Sequence, residues 1–181
     1  MTKHWLPGIT GLLVLLCTLL VAEPTFAQRG NNEPRPSPNA GLSQTIGTTV
    51  VDMHYSRPAV KGRTIFGGLE AWGKTWRAGA NEPTTITFSG DVKIEGRDLP
   101  AGTYALWITP METGDWDVTL GTMVRWGTMS GESDPVLTVS VAPRQGDLQE
   151  WLIYRFEDLS TTSATLVMHW ENTLLPIRIS V

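Results

Sequence analysis

The sequence predicts an all-β domain: a two-sheet antiparallel β-sandwich of about nine or ten strands, with at most one short helix. Three observations carry this. Apolar and polar residues alternate with a period of two in short runs, the signature of strands with one wet face. Glycine-bearing turns separate the runs, and helical periodicity is nearly absent. Antiparallel runs without crossover helices close into sandwiches or barrels.

From Leu42 the elements follow in order. Val51, Met53 and Tyr55 share one face, with Asp52 and His54 on the other. Ile86 and Phe88 alternate with Thr85 and Thr87, and Val92 and Ile94 with Lys93 and Glu95. Tyr104, Leu106 and Ile108 come next, followed by Trp116, Val118 and Leu120, then Leu137, Val139 and Val141. Leu152, Tyr154 and Phe156 oppose Trp151 and Arg155; Leu166, Met168 and Trp170 oppose Thr165 and His169; Ile177, Ile179 and Val181 close the chain. Turns fall at Ser89-Gly90-Asp91, Glu95-Gly96-Arg97-Asp98, Leu99-Pro100-Ala101-Gly102 and Thr113-Gly114-Asp115, each with a glycine where φ can turn positive. Gly68 to Lys74 has room for a helical turn or two. Trp107 and Trp151 stand opposite the apolar register of their strands and are expected to be exposed.

Ahead of the strands, Lys3 and His4 precede an apolar run from Ile9 to Ala22, and Thr25-Phe26-Ala27 offers a small-residue cut ahead of Gln28. Residues 1–27 therefore read as a secretory signal peptide, too short in its apolar part for the ~18–20 residues of a spanning helix. The chain's single cysteine, Cys17, leaves with it, so no disulfide is expected in the mature protein. Residues 28–38 carry three prolines and no periodicity, and read as a disordered linker. The domain proper is expected over 39–181, about 140 residues, enough for one self-sufficient core. The net charge of −4 argues against a nucleic-acid partner, which needs a broad basic face. The expected location is exported, periplasmic or extracellular, with no membrane span after cleavage.

One stretch departs from this plain alternation. Tyr55 to Glu82 concentrates Arg57, Lys61, Arg63, Lys74 and Arg77 against Glu70 and Glu82, so it is locally positive inside an acidic chain. Pro58 and Gly62 fix a loop displaying three cations, and Trp72 and Trp76 flank Lys74. Arg57, Lys61, Arg63, Trp76, Arg77, Asn81 and Glu82 are the candidate ligand-binding residues. Guanidinium forks suit carboxylate, phosphate or sulfate, indoles suit sugar rings, and Asn81 and Glu82 suit hydroxyls or amides. The competing reading is structural. An excursion this long must be tied down. Arg77 paired to Glu82, with Phe66, Trp72 and Trp76 plugging the end of the sandwich, would do so.

Other chemistry is weakly signalled. His54 and His169 are the histidines remaining after cleavage, and they lack metal-ligand spacing, so no metal or cofactor is expected. Glu82 with His54 is the candidate acid–base pair for a hydrolase acting on envelope material. No nucleophile elbow or phosphate-binding glycine loop is present.

Several motifs together carry a resemblance. Ser37-Pro38-Asn39-Ala40 is followed by Ser43-Gln44-Thr45-Ile46-Gly47 and by Tyr55-Ser56-Arg57-Pro58, then Val60-Lys61-Gly62-Arg63 and Ile65-Phe66-Gly67. After these come Gly73-Lys74, Trp76-Arg77, Gly79-Ala80-Asn81-Glu82 and Leu99-Pro100-Ala101-Gly102-Thr103-Tyr104. In this order they resemble the domain of unknown function 2911 family, exported bacterial proteins well represented in Bacteroidetes. The resemblance runs from Ser37 to Val181 and departs at Gly68-Leu69-Glu70-Ala71-Trp72. It implies export and a β-rich domain, and brings no activity, substrate or cofactor. The functional expectation is a non-catalytic envelope domain binding an anionic or glycan-like ligand. The alternatives are the hydrolase and a structural envelope protein without a small ligand.

Overall fold

The computed structural model describes Met1 and residues 34–122 and 134–181 of the chain. Pro34–Val181 forms a compact unit of its own. The expected signal peptide, the first part of the expected linker and Trp126 lie outside the described residues.

Ten strands alternate along the unit: β1 (Asn39–Ile46), β2 (Thr49–Ser56), β3 (Thr85–Phe88), β4 (Val92–Ile94), β5 (Arg97–Leu99), β6 (Gly102–Thr109), β7 (Trp116–Gly121), β8 (Pro135–Val141), β9 (Arg144–Glu157) and β10 (Ser163–Ser180). They form a six-stranded sheet, β1-β2-β3-β6-β7-β8, and a four-stranded sheet, β5-β4-β10-β9. Every pairing is antiparallel. The protein is an all-β sandwich, and no helix occurs among the described residues.

The period-two pattern becomes the core directly. Val51, Met53 and Tyr55 on β2, Ile86 and Phe88 on β3, and Val118 and Leu120 on β7 are buried from one sheet. Ile94 on β4, Leu152 and Tyr154 on β9, and Leu166, Met168, Ile177 and Ile179 on β10 meet them from the other. Burial of such alternating faces drives sheet-on-sheet packing.

The structure adds detail at three places. The Glu95-Gly96 turn is shorter than read. Both residues have positive φ (49° and 78°) and make a two-residue hairpin, so Arg97–Leu99 pairs at once with Val92–Ile94 as β5. Gly68 to Lys74 makes turns rather than helix. Pro34 to Pro38 is tied to the domain rather than free. Arg35 Nη1 donates to both carboxylate oxygens of Glu82 at 2.8 Å, Asn81 Nδ2 donates to Ser37 O at 2.9 Å, and Arg57 N donates to Pro38 O at 2.9 Å.

The long connection between β2 and β3 crosses between the sheets. It leaves β2 in the six-stranded sheet and meets β9 through an antiparallel bridge of Ala59 with Trp151. Val60 N donates to Glu150 O and Leu152 N to Pro58 O, covering the edge of the four-stranded sheet. Glu171 Oε1 on β10 then accepts from Ile65 N at 3.1 Å. Finally Trp76 pairs with Ile108, exchanging bonds of 2.7 and 2.9 Å, so the chain rejoins β6 in line with β3.

That return explains Trp107, which is 5% exposed although its register faces away from Leu106 and Ile108. Extending the Trp76–Ile108 bridge by one residue places Thr75 across from Thr109, and their hydroxyls lie 3.0 Å apart. The same register places Arg77 across from Trp107. The excursion covers an outer face that alternation alone assigns to water. Trp151 is 37% exposed, as its register predicts.

Candidate functional site

Where the excursion returns to the sandwich it leaves a cleft of about 670 Å³, of the size small-molecule sites take. Its walls come from three sources. The excursion gives Pro58, Arg63, Leu69, Glu70, Thr75, Trp76, Arg77 and Asn81; β6 and β10 give Trp107 and Trp170; Ser37 comes from the tethered N-terminal segment.

An aromatic cluster forms the apolar side. Trp76 stacks on Trp170 with centroids 5.4 Å apart and planes 26° apart. Phe66 meets the edges of Trp76 and Trp170 at 6.0 Å and tilts against Trp116 at 4.6 Å. Trp170 sits where β10 loses register with β9, between His169 and Glu171, and Glu171 has φ 53°. Such a bulge re-aims side chains beside functional sites.

The polar side is a surplus of donors. Trp76 Nε1 donates to Gly79 O at 2.9 Å and Trp116 Nε1 to Met111 O at 2.9 Å. The indole nitrogens of Trp107 and Trp170 are buried and find no acceptor among the described residues. A buried N–H without a partner costs about 1–3 kcal/mol, so native proteins rarely keep two together. Beside them are two guanidiniums, each partly committed to backbone carbonyls. Arg63 donates through Nε to Val60 O (3.0 Å) and through Nη2 to Ala59 O (2.6 Å), and Arg77 Nη1 donates to Asn81 O (2.7 Å).

Glu70 is the carboxyl in this wall. Its backbone is fixed by Glu70 N to Ile65 O (2.9 Å) and Gly67 N to Glu70 O (2.8 Å). Burial raises its pKa from 4.5 to about 7, opposed first by the Arg77 charge and then by that of Arg63. An acid with a raised folded-state pKa favours folding most when protonated. That contribution is complete below about pH 4.5 and is lost as the pH climbs to about 7. Glu70→Gln is therefore expected to leave the melting temperature unchanged at pH 4 and to raise it at pH 8. Glu70 is only half-buried, so solvent screening limits the gain to about 1 kcal/mol. Thermal melts at the two pH values measure it.

The loop is anchored from the core by Tyr154, whose hydroxyl donates to Ala78 O at 2.8 Å while its ring meets Tyr55 edge-on at 4.8 Å. Ala78 has φ 54°, an uncommon conformation for a residue with a Cβ. Burial raises the Tyr154 pKa well above the usual phenol, which keeps the donor protonated. Tyr154→Phe is expected to cost only ~1 kcal/mol in urea denaturation, because Ala78 O keeps its bond from Thr84 Oγ1 at 2.9 Å.

Of the residues proposed from sequence, the fold brings Arg63, Trp76, Arg77 and Asn81 to the cleft. Arg57, Lys61 and Glu82 are not in its lining. Arg57 Nε donates to Leu152 O at 2.9 Å, Lys61 is exposed with its backbone N–H on Glu150 Oε1, and Glu82 is paired to Arg35. Glu82 thus ties down the N-terminal segment through its ion pair with Arg35. Neither His54 nor Glu82, the candidate acid–base pair, lines the cleft. His54 is an exposed residue of β2, and His169 lies 3.1 Å from Arg155 Nη1 and 2.9 Å from Asp147 O. Among the described residues no cluster of three or more metal-ligating side chains is present, and no helix is long and apolar enough to cross a membrane.

Sequence reasoning missed Glu70, Trp107, Trp170 and Ser37. For Trp107 the signal was in hand, because a tryptophan off the apolar register means either exposure or a cover. For Trp170, on-register burial gave no hint that its nitrogen would lack a partner. No curated protein and no solved structure matches the chain. The sequence profile of one family, described as a protein of unknown function (DUF2911), matches residues 37–179, a span that takes in every residue lining the cleft. The chain belongs to that family.

Proposed function

We propose that this domain is a non-catalytic binding module whose cleft holds a small, oxygen-rich anion or glycan-like molecule, and that it works outside the cytoplasm after an N-terminal leader is removed. The leader pattern at residues 1–27 supports the location. One observation carries the binding reading: Trp107 and Trp170, whose buried indole N–H groups lack acceptors among the described residues, are wall residues of one cavity with Arg63 and Arg77. A guest with acceptor oxygens would satisfy donors that the fold leaves open, and the guanidiniums would balance its charge.

A ligand that binds only the folded form raises its melting temperature, by an amount corresponding to about 2.7 kcal/mol at a hundred times its Kd. The test is a thermal-shift screen of residues 28–181 against phosphate, sulfate, sugar acids and neutral sugars. Anions or glycans are expected to raise the melting temperature. Trp107→Phe, which removes a donor and keeps a ring, is expected to lower that response by about tenfold in apparent affinity, the ~1.4 kcal/mol of one good hydrogen bond. A domain whose melting temperature none of these compounds moves would overturn the reading.

A further inference from the structure

We propose that the guest is a sugar acid of one or two rings, bound through its carboxylate as a monoanion while Glu70 carries a proton. The inference rests on the binding reading above and names the ligand class and its proton linkage.

The charge inventory of the cleft leads to it. Arg63 and Arg77 are the two cations in the lining, and Glu70 stands within the influence of both. The other carboxylates near the excursion are occupied: Glu171 accepts from Ile65 N, Glu82 from Arg35, and Glu150 from Lys61 N. Glu70 is thus the acid that an incoming anion must face. Ionised, it would repel the guest and compete for the same guanidiniums. Protonated, it is a hydroxyl donor and a carbonyl acceptor, matched to the hydroxyls of a sugar. Burial already holds Glu70 near the point of half-protonation at neutral pH. A second negative charge nearby drives it further toward the protonated form.

The walls select a ring. Trp76 and Trp107 each bring a little ring surface to the lining, backed by the buried Trp170, and Leu69 gives an exposed apolar rim at 46% exposure. Thr75 and Asn81 supply polar groups between them, and Asn81 Oδ1 is left to accept because Nδ2 donates to Ser37 O. The volume of about 670 Å³ suits one or two pyranose rings. A phosphorylated sugar fits less well. Its dianion would have to share two guanidiniums, already partly bonded to carbonyls, with a carboxyl that the same charge must keep neutral.

Isothermal titration of residues 28–181 with D-glucuronate, cellobiouronate (two rings, one carboxylate), methyl glucoside and glucose 6-phosphate at pH 6 and pH 8 tests this. The uronates are expected to bind about tenfold more tightly at pH 6 than at pH 8, since one proton is taken up by a group titrating near pH 7. At pH 7 roughly half a proton should be taken up per ligand, read from buffers of different ionisation heat. Glu70→Gln should bind the uronates equally at both pH values, with an affinity near that of the native protein at pH 6. A melting temperature of this variant at pH 8 at or above that of the native protein shows that it is folded. Uronate binding that is pH-independent, a pH dependence that survives in Glu70→Gln, or tighter binding of glucose 6-phosphate would overturn the inference. If the uronates fail while sulfate or phosphate raises the melting temperature, the ligand class is wrong and the anion cleft stands. If every anion fails, both fall.

Discussion

Trp170→Ala is expected to remove about 3–5 kcal/mol from the folding free energy, the range for deleting a large buried aromatic. The indole is fully buried, stacks on Trp76 and meets Phe66 edge-on, so its loss strips a face from two other rings. Domains of this kind are stable by only about 5–15 kcal/mol, so the variant would sit near the threshold of folding. The unpartnered Nε1 of Trp170 makes a sharper comparison possible. Trp170→Phe also loses volume, but it removes an unsatisfied donor, which offsets part of the cavity cost. It should therefore be clearly less damaging than alanine. Urea denaturation is the measurement, and the midpoint should fall with the slope unchanged. Equal losses for the two variants would mean that the nitrogen is satisfied in solution.

The second large effect lies in the excursion itself. A Cβ at Gly68 would run into the carbonyl oxygen of Thr64 and stand 3.0 Å from Thr64 Cβ. The obstacle is backbone, held in place because Thr64 O accepts from Leu69 N and Ile65 O accepts from both Gly68 N and Glu70 N. Nothing in that turn can swing aside, so Gly68→Ala must open it. Overpacking of this sort costs about 1–3 kcal/mol. Because Glu70 and Leu69 follow directly and line the cleft, the same change should abolish any ligand-induced rise in melting temperature. A variant that melts and binds like the native protein would show that the 64–70 turn is looser than its hydrogen bonds imply.

The sandwich was legible in the sequence because side-chain alternation is a local property. Val51, Met53 and Tyr55 face inward for the same reason whichever strands adjoin them. Pairing order was not legible. That β3 joins β6, while β4 and β5 cross to the other sheet, depends on contacts between distant residues that leave no local trace. The site divides along the same line. Arg63, Trp76, Arg77 and Asn81 stood out because their composition departs from the strand pattern. Glu70 did not, because only burial beside two arginines makes it unusual. Arg57 and Glu82 looked equally promising as a charge list, yet one is bonded to the carbonyl of Leu152 and the other fastens Arg35. Trp107 needed knowledge of what lies across from Ile108. The ties of the excursion to β9, β10 and the N-terminal segment are what the structural reading asks for, and the cleft stands beside them.

The most direct measurement is of the indole N–H resonances of the folded protein by ¹⁵N-resolved NMR, assigned through single Trp→Phe variants. Phosphate, sulfate and D-glucuronate would be added in turn at pH 6. The signals of Trp107 and Trp170 are expected to lie in the unbonded range in the free protein. They should move downfield as an anion binds, while those of Trp76 and Trp116, already bonded to Gly79 O and Met111 O, hold still. Trp107 and Trp170 signals already at bonded positions without any anion, or unmoved at saturating concentrations of all three, would contradict the account.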